Sequence, residues 1–264
     1  MSKVSQFENN SAVTRDFFLY SVLKELRPKY RIWFFGLLWT LGQPFFSSLV
    51  VAYVFQNKLS TFIIPQNYFF FCFGGLSFWT FFSSAINQSG LVFQNRMKLV
   101  KSSANSRFCI ALAPVTALFL ELLFSLYFAL VVFELFNILS PKPLMLLGVF
   151  LSALLAFIFT ASTALFISVM SLELRDLRYL IPFLIQLGFL TTPIIYEASL
   201  PGIWGTLYHS TPLALAMRLY RWTLGLHTFP SSNHFLTGLV ITFFWGVFCS
   251  LIFQSKSKKL AEWL

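Results

Sequence analysis

The amino-acid sequence predicts an all-α membrane protein with six transmembrane helices. Hydrophobic residues make up 57% of the 264-residue chain and charged residues only 11%, proportions far from those of soluble domains. The charges are also unevenly placed, and several long stretches contain none, among them Ile32–Asn57, Leu59–Asn95, Pro143–Leu172, Tyr179–Tyr196 and Leu226–Ser255. A mostly apolar run of about 18 residues is long enough to cross a bilayer as a helix. We therefore expect a chain that crosses the membrane several times.

The first 30 residues are predicted to be a cytoplasmic N-terminus that contains an amphipathic helix. Between Thr14 and Arg27, charged residues occupy one side of the predicted helix and apolar residues recur at helical spacing on the other. Thr14 is the expected N-cap, and Pro28 is expected to end the helix. We expect this short, charged helix to lie in the membrane surface rather than to cross it, with an ordinary cytosolic helix as the alternative. Its apolar residues are Phe18, Leu19, Val22, Leu23 and Leu26.

Residues 31–255 are predicted to form the transmembrane domain, and residues 256–264 a cytoplasmic tail. Charged stretches and clusters of proline and glycine divide the apolar sequence into separate spans. The predicted spans are residues 32–55, 67–92, 108–137, 144–172, 179–196 and 235–253.

The segment Glu197–Gly225 differs from the rest of the apolar sequence because prolines and glycines interrupt it every few residues. Neither half is long enough to cross the membrane. We predict two short helices that enter and leave the outer leaflet as a re-entrant segment, with Arg218 and Arg221 at the outer rim. Irregular backbone is tolerated at membrane depth only where protein or water satisfies it.

The distribution of positive charge predicts that both termini are cytoplasmic. With six spans, 15 of the 19 Lys and Arg residues lie on the side of the termini, as the positive-inside rule requires. A seven-span arrangement, in which Glu197–Gly225 crosses the membrane, distributes the charge almost equally well. The interruptions by proline and glycine favour six. The net charge of +10 thus indicates cytoplasmic loops rather than a nucleic-acid surface.

The sequence points to transport rather than to catalysis. It contains no phosphate-binding P-loop and no metalloprotease or serine-hydrolase motif, and the three cysteines form no C-x-x-C pair. We therefore expect no catalytic residue, no metal site and no cofactor bound by this chain. Glu121 is the acidic residue well inside a span, where a carboxylate is costly. A contact between helices, a place in the transport path and proton coupling are its three possible roles.

Two further features admit two interpretations each. The 35 phenylalanines either contact lipid and pack between helices, or partly line a wide path along which sugar rings slide. The basic stretch Gln94–Arg107 is either a solvated loop or a docking element for a soluble partner. A transporter without its own P-loop needs an energy source, which favours the partner.

The order and spacing of several short motifs resemble one membrane-protein family over nearly the whole chain. The sequence is similar to the ABC-2 type permease subunits that export polysaccharides, including O-antigen, capsule and teichoic-acid exporters. The motifs that carry the resemblance are Lys29-Tyr30-Arg31, Gly36-Leu37-Leu38-Trp39, Pro44, Arg175–Phe183, Thr192–Tyr196, Pro212, Arg218 and Gly225.

The resemblance implies a multi-pass protein of the bacterial inner membrane that forms a homodimer. Two copies of a separate P-loop ATPase subunit would bind ATP and Mg²⁺ and drive export of a lipid-linked polysaccharide, and no nucleic acid would be bound. Export of a small hydrophobic drug or lipid is one alternative. An ATP-independent channel or scaffold is the other.

Three groups of residues are expected to carry this function. The resemblance implies that the first group couples the chain to the ATPase: Arg96, Met97, Lys98, Leu99 and Lys101. The second group could attract the phosphate linkage of the substrate head group near the cytoplasmic surface: Lys29, Arg31 and Arg178. The third group is expected to line or gate the channel: Trp39, Glu121, Tyr196 and Pro212.

Overall fold

A computed structural model describes residues 11–29, 33–58, 68–97, 106–135, 143–174, 176–197 and 202–257. All regular structure in these ranges is helical, as the sequence predicts. The ten helices are α1 (Ser11–Lys29), α2 (Trp33–Lys58), α3 (Tyr68–Ser89), α4 (Val92–Asn95), α5 (Ser106–Leu135), α6 (Pro143–Glu173), α7 (Leu177–Thr191), α8 (Gly202–Ser210), α9 (Pro212–Thr223) and α10 (Ser232–Ser257).

Four of these helices are apolar enough over a sufficient length to cross a membrane: α3, α5, α6 and α10. Two shorter apolar stretches accompany them, Thr40–Phe55 in α2 and Leu177–Thr191, which is all of α7. The predicted spans therefore coincide with helices, although the six-span count and the division into residues 1–30, 31–255 and 256–264 stay predictions.

Helix α1 is longer than expected and buries only part of its apolar side. It begins at Ser11 rather than at Thr14, and it continues through Pro28 to Lys29. Pro28 has no N–H to donate to the carbonyl four residues earlier, and the helix ends one residue after it. Val22 packs with Phe18 and Leu26 against Ala113 and Ala117 of α5, whereas the other two predicted apolar residues, Leu19 and Leu23, are half exposed.

Helix α3 is the central helix of the bundle. It contacts α2, α5, α6, α7 and α9, and most of its side chains are buried. Two adjacent glycines allow two of these contacts to be close. A Cβ atom on Gly74 would lie 2.2 Å from the ring of Tyr220, and one on Gly75 would lie 2.6 Å from the carbonyl oxygen of Ile194.

The predicted fifth span ends as a helix five residues early. Helix α7 stops at Thr191, because Pro193 disfavours helical backbone at the preceding residue and Thr192 is extended, with φ −102° and ψ 142°. The 15 residues of α7 reach only about 22 Å, less than the hydrocarbon thickness of about 30 Å. Tyr196, expected at the end of the span, thus lies in non-helical chain.

Side chains of other helices donate hydrogen bonds to two backbone carbonyl oxygens of the non-helical residues that follow α7. The hydroxyl of Tyr68 on α3 donates to the carbonyl oxygen of Ile195 at 2.7 Å. The guanidinium of Arg221 on α9 donates to the carbonyl oxygen of Ile194 at 2.8 Å. These bonds meet the requirement that protein satisfies irregular backbone at membrane depth.

The interrupted segment Glu197–Gly225 contains two short helices, α8 and α9, in agreement with the prediction. Pro212 occupies the first turn of α9, where its missing N–H costs no helical hydrogen bond. Helix α9 packs on α6, α3 and α10, and most of its side chains are buried. Helix α9, the second helix of the predicted re-entrant segment, is therefore part of the core.

Candidate functional site

The described part of the ATPase-coupling group lies against the N-terminal helix. Arg96 follows the short helix α4 and forms an ion pair with Glu25 of α1, in which both side chains are largely buried. Met97, the next residue, is 41% exposed. The other three residues of the group, Lys98, Leu99 and Lys101, lie outside the described residues. The pair joins the connection between α3 and α5 to the helix that packs on α5.

Of the three residues predicted to bind the substrate head group, Arg178 is the one whose side chain the structure describes. Arg178, at the start of α7, donates from Nε and Nη2 to the carbonyl oxygen of Ser171, with both distances 3.3 Å. This contact links α7 to the last turn of α6. Lys29 is the last residue of α1, but its side chain and all of Arg31 lie outside the described residues.

Three of the four channel residues, Glu121, Tyr196 and Pro212, have described side chains, and they lie on separate elements. The Tyr196 hydroxyl donates to the carbonyl oxygen of Leu190 at 2.8 Å and so folds back onto α7. Pro212 is buried at the start of α9. Trp39 belongs to α2, and its side chain lies outside the described residues. Glu121, on α5, is the member that lines a cavity.

This cavity has a volume of about 340 Å³ and lies among α2, α3 and α5. Its lining is rich in groups that both donate and accept hydrogen bonds, although it lies between apolar helices. Two of its hydroxyls, those of Ser77 and Ser125, are 3.2 Å apart across α3 and α5. The other polar side chains include Gln43 of α2, Thr80, Ser84 and Gln88 of α3, and Glu121 of α5.

A second group of charged residues lies at the opposite end of the bundle, and the sequence analysis misplaced it. Arg221 is fully buried rather than at the outer rim, because its charge is compensated inside the protein. Its Nη1 lies 3.3 Å from Oε1 of Glu197, and its Cζ lies 3.4 Å from the centre of the Phe71 ring. Arg218 and His227 approach the same carboxylate, at 3.7 and 2.7 Å.

The electrostatics of this cluster favour its charged form. Burial of the Glu197 carboxyl favours protonation, but the hydrogen bond with His227 and the charges of Arg221 and Arg218 outweigh it and hold its pKa at about 2. The hydrogen bond with Glu197 raises the pKa of His227 above its usual value, against the effect of partial burial. Both residues lie in loops outside the predicted spans.

One signal in the sequence could have located this cluster. Glu197 is the only acidic residue between Asp176 and Glu262, and Arg218 and Arg221 are three residues apart. Residues at that spacing share one face of a helix. A single carboxylate that lies between two apolar runs, followed by two such arginines, indicates an internal ion cluster rather than a solvated rim.

Comparisons with known proteins point to one kind of protein. Residues 17–224 match the family described as ABC-2 type transporter. The chain is 27% identical over 199 residues to the O-antigen export system permease protein RfbA of Klebsiella pneumoniae, a match that covers 75% of this chain and 76% of that protein. It is 25% identical over 260 residues to the protein of the same name from Myxococcus xanthus, covering 91% and 92%.

Proposed function

The chain belongs to the ABC-2 type transporter family, and we propose that it is the permease subunit of an ATP-driven exporter of a cell-envelope polysaccharide. It is a multi-pass protein of a bacterial membrane. The observation that carries the proposal is the similarity to two permeases named for O-antigen export, of which one match extends over 91% of this chain.

The proposed topology has six spans with both termini in the cytoplasm. Helices α3, α5, α6 and α10 supply four spans, and α2 supplies another, since its 26 residues extend about 39 Å. The remaining span consists of α7 together with the non-helical residues that follow it. In this topology α8 and α9 form the re-entrant segment of the outer leaflet.

We propose a homodimer in which α2 and α7 face the export path. Both helices pack on α3, and each exposes a long apolar side in the part of the chain that the structure describes. In a membrane, such sides meet lipid or a second subunit. The apolar side chains with the greatest exposed fraction are Phe46, Val50 and Tyr53 on α2 and Tyr179, Phe183 and Leu190 on α7.

The proposed energy source is a separate P-loop ATPase subunit, present in two copies, which binds ATP and Mg²⁺. Movement of the ATPase against residues 96–101 would pass to α1 through the ion pair between Arg96 and Glu25. Because α1 packs on α5 through Phe18 and Val22, the displacement would then reach the transmembrane bundle.

The proposed substrate is a lipid-linked polysaccharide whose phosphate linkage binds near the cytoplasmic surface to Lys29, Arg31 and Arg178. Arg178 is suited to this role because its contact with Ser171 uses two of the five N–H donors of a guanidinium. Trp39, Tyr196 and Pro212 would act along the path and at its outer end.

The test of the proposed function is co-purification from native membranes. We expect the detergent-solubilised chain to bring down a P-loop ATPase with ATPase activity, and replacement of residues 96–101 by serine and alanine to abolish the association. Replacement of Lys258 and Lys259, which follow α10, is the matched control and should leave it intact. An ATPase-free preparation with no export in vesicles would contradict the proposal.

A further inference from the structure

We propose that the cavity among α2, α3 and α5 binds a sugar unit of the exported glycan on the cytoplasmic side of the membrane. This inference rests on the proposed function for the identity of its ligand. The cavity itself is separate from the path proposed between α2 and α7, since it lies inside one subunit and Glu121 of α5 is at its wall.

The chemistry of the lining fits a polyol. Sugar hydroxyls donate and accept hydrogen bonds, and the lining offers amides on Gln43 and Gln88, hydroxyls on Thr80 and Ser84, and the carboxylate of Glu121. A carboxylate is a strong acceptor for hydroxyl donors. Apolar surface from Phe81 and Leu118 is also present for the C–H faces of a sugar ring.

The charge of the lining favours a neutral ligand. None of the twelve described residues that line the cavity is Lys or Arg, and Glu121 is its one ionisable side chain. A phosphate group would find no compensating cation in it. A bare metal cation would occupy a small part of about 340 Å³, whereas small-molecule pockets begin at about 300 Å³.

The position of the cavity gives it access to the cytoplasmic surface. Its wall on α3 extends from Ser77 to Gln88, a distance of about 17 Å along the helix axis. Gln88 also lines a larger open groove of about 590 Å³ next to Lys24, Glu25 and Arg96. The groove and the cavity therefore adjoin at Gln88, and we expect a sugar to enter the cavity from the groove.

The test compares two lipids on the full-length chain in lipid nanodiscs. One probe is the radiolabelled polyprenyl-linked glycan extracted from the membranes of the source bacterium, and the other is the same lipid after acid removal of the glycan. We expect the wild-type chain to bind the first at least tenfold more tightly. Equal affinity for the two lipids would overturn the proposal.

Variants of the lining then locate the binding. Glu121→Gln keeps the side-chain shape and should reduce the preference for the glycan by about tenfold, because a hydrogen bond to a charged group contributes on that order. Gln43→Leu, at a solvent-accessible position of the lining, should reduce it without a change in folding. Glu134→Gln, on the exposed end of the same helix α5, is the matched control and should bind as wild type.

The outcomes separate this inference from the proposed function. ATP-driven export in vesicles together with an unchanged glycan preference in both lining variants would overturn the sugar site and leave the exporter. A glycan preference that depends on Glu121, in a chain that brings down no ATPase from native membranes and shows no export in vesicles, would support the site and contradict the exporter. Stabilisation by sodium that depends on Glu121, without any glycan preference, would assign the cavity to a cation and overturn the proposal.

Discussion

The guanidinium carbon of Arg221 on α9 lies 3.4 Å from the centre of the Phe71 ring on α3. The cation is fully buried, and it is held from the other side by Glu197. A cation on an aromatic face gains further attraction when both are removed from water. This contact fixes α9 to α3, the central helix of the bundle.

Glu197→Gln should destabilise the protein, because it leaves a buried cation without its counter-charge. The expected loss is about 3 kcal/mol, the size usual for removal of one partner of a buried pair. Thermal unfolding of the purified chain in detergent measures it as a lower Tm. The double variant Glu197→Gln with Arg221→Met should recover part of the loss, since it removes both charges. If the single variant unfolds like wild type, the pair does not hold the segment.

The stability of the outer segment should fall as the pH rises above the ordinary pKa range of histidine. The pKa of His227 is raised in the folded protein, so its contribution is complete below about pH 6.5 and is lost as the pH passes through the raised value. The pKa of Glu197 is lowered to about 2, so its contribution is lost only in strong acid. Tm measured from pH 5 to pH 9 checks this.

His227→Gln should remove most of this decline between neutral and alkaline pH. His234→Gln, at the start of α10, is the control and should retain it. A decline that is identical in both variants would assign the pH dependence to other groups.

Gly75→Ala should lower the Tm, although alanine is normally the better helix former. The added Cβ would lie 2.6 Å from the carbonyl oxygen of Ile194, a backbone atom held in place by Arg221. Overpacking of this kind costs about 1–3 kcal/mol. Gly42→Ala on α2 is the matched control, since its Cβ would meet Phe46 at an ordinary 3.7 Å. There we expect no loss of stability, and an equal loss in both variants would contradict the close approach.

Reversal of the ion pair between Arg96 and Glu25 should affect export more than ATP hydrolysis. Arg96→Glu or Glu25→Arg alone places like charges together and should reduce export per ATP hydrolysed severalfold. The double exchange should restore much of it, because it re-forms the pair in the opposite direction. Export and ATP hydrolysis measured together in vesicles distinguish coupling from loss of assembly. Failure of the double exchange to improve on both single variants would exclude the pair as the link.

Replacement of Arg31 and Arg178 by alanine should block export while the ATPase still co-purifies. Arg178 also contacts the carbonyl oxygen of Ser171, so a loss of folding must be separated from a loss of recognition. Arg178→Lys, which keeps the charge, should retain a measurable part of the activity. Normal export in the double alanine variant would refute phosphate recognition by these residues.

The sequence alone was sufficient for the helices but not for the contacts between them. Absence of charge and the length of the apolar runs predicted α3, α5, α6 and α10 to within a few residues, because both properties are local. The end of α7 was misjudged since the apolar run continues to Tyr196 while Pro193 ends the helix. An apolar run indicates that a segment can lie in lipid, but it does not indicate that the whole segment is helical.

The positive-inside rule could not predict the buried position of Arg221. A rule for charge in loops assigns arginines to a surface, and it contains no information on which carboxylate folds against them. The sequence could not predict the cavity next to Glu121 either. Its lining residues Gln43, Thr80 and Ser125 belong to three helices whose pairing depends on the whole bundle. The sequence showed only that Glu121 is an isolated carboxylate within an apolar span.

The non-helical residues after α7 also have a consequence for the order in which the chain folds during its synthesis. Their carbonyl groups at Ile194 and Ile195 are bound by Arg221 and Tyr68. Tyr68 is translated long before this stretch, but Arg221 follows it by more than twenty residues. Until α9 has been synthesised, the carbonyl of Ile194 lacks this donor. We therefore expect the stretch to complete its insertion late, after the residues that follow it have been made.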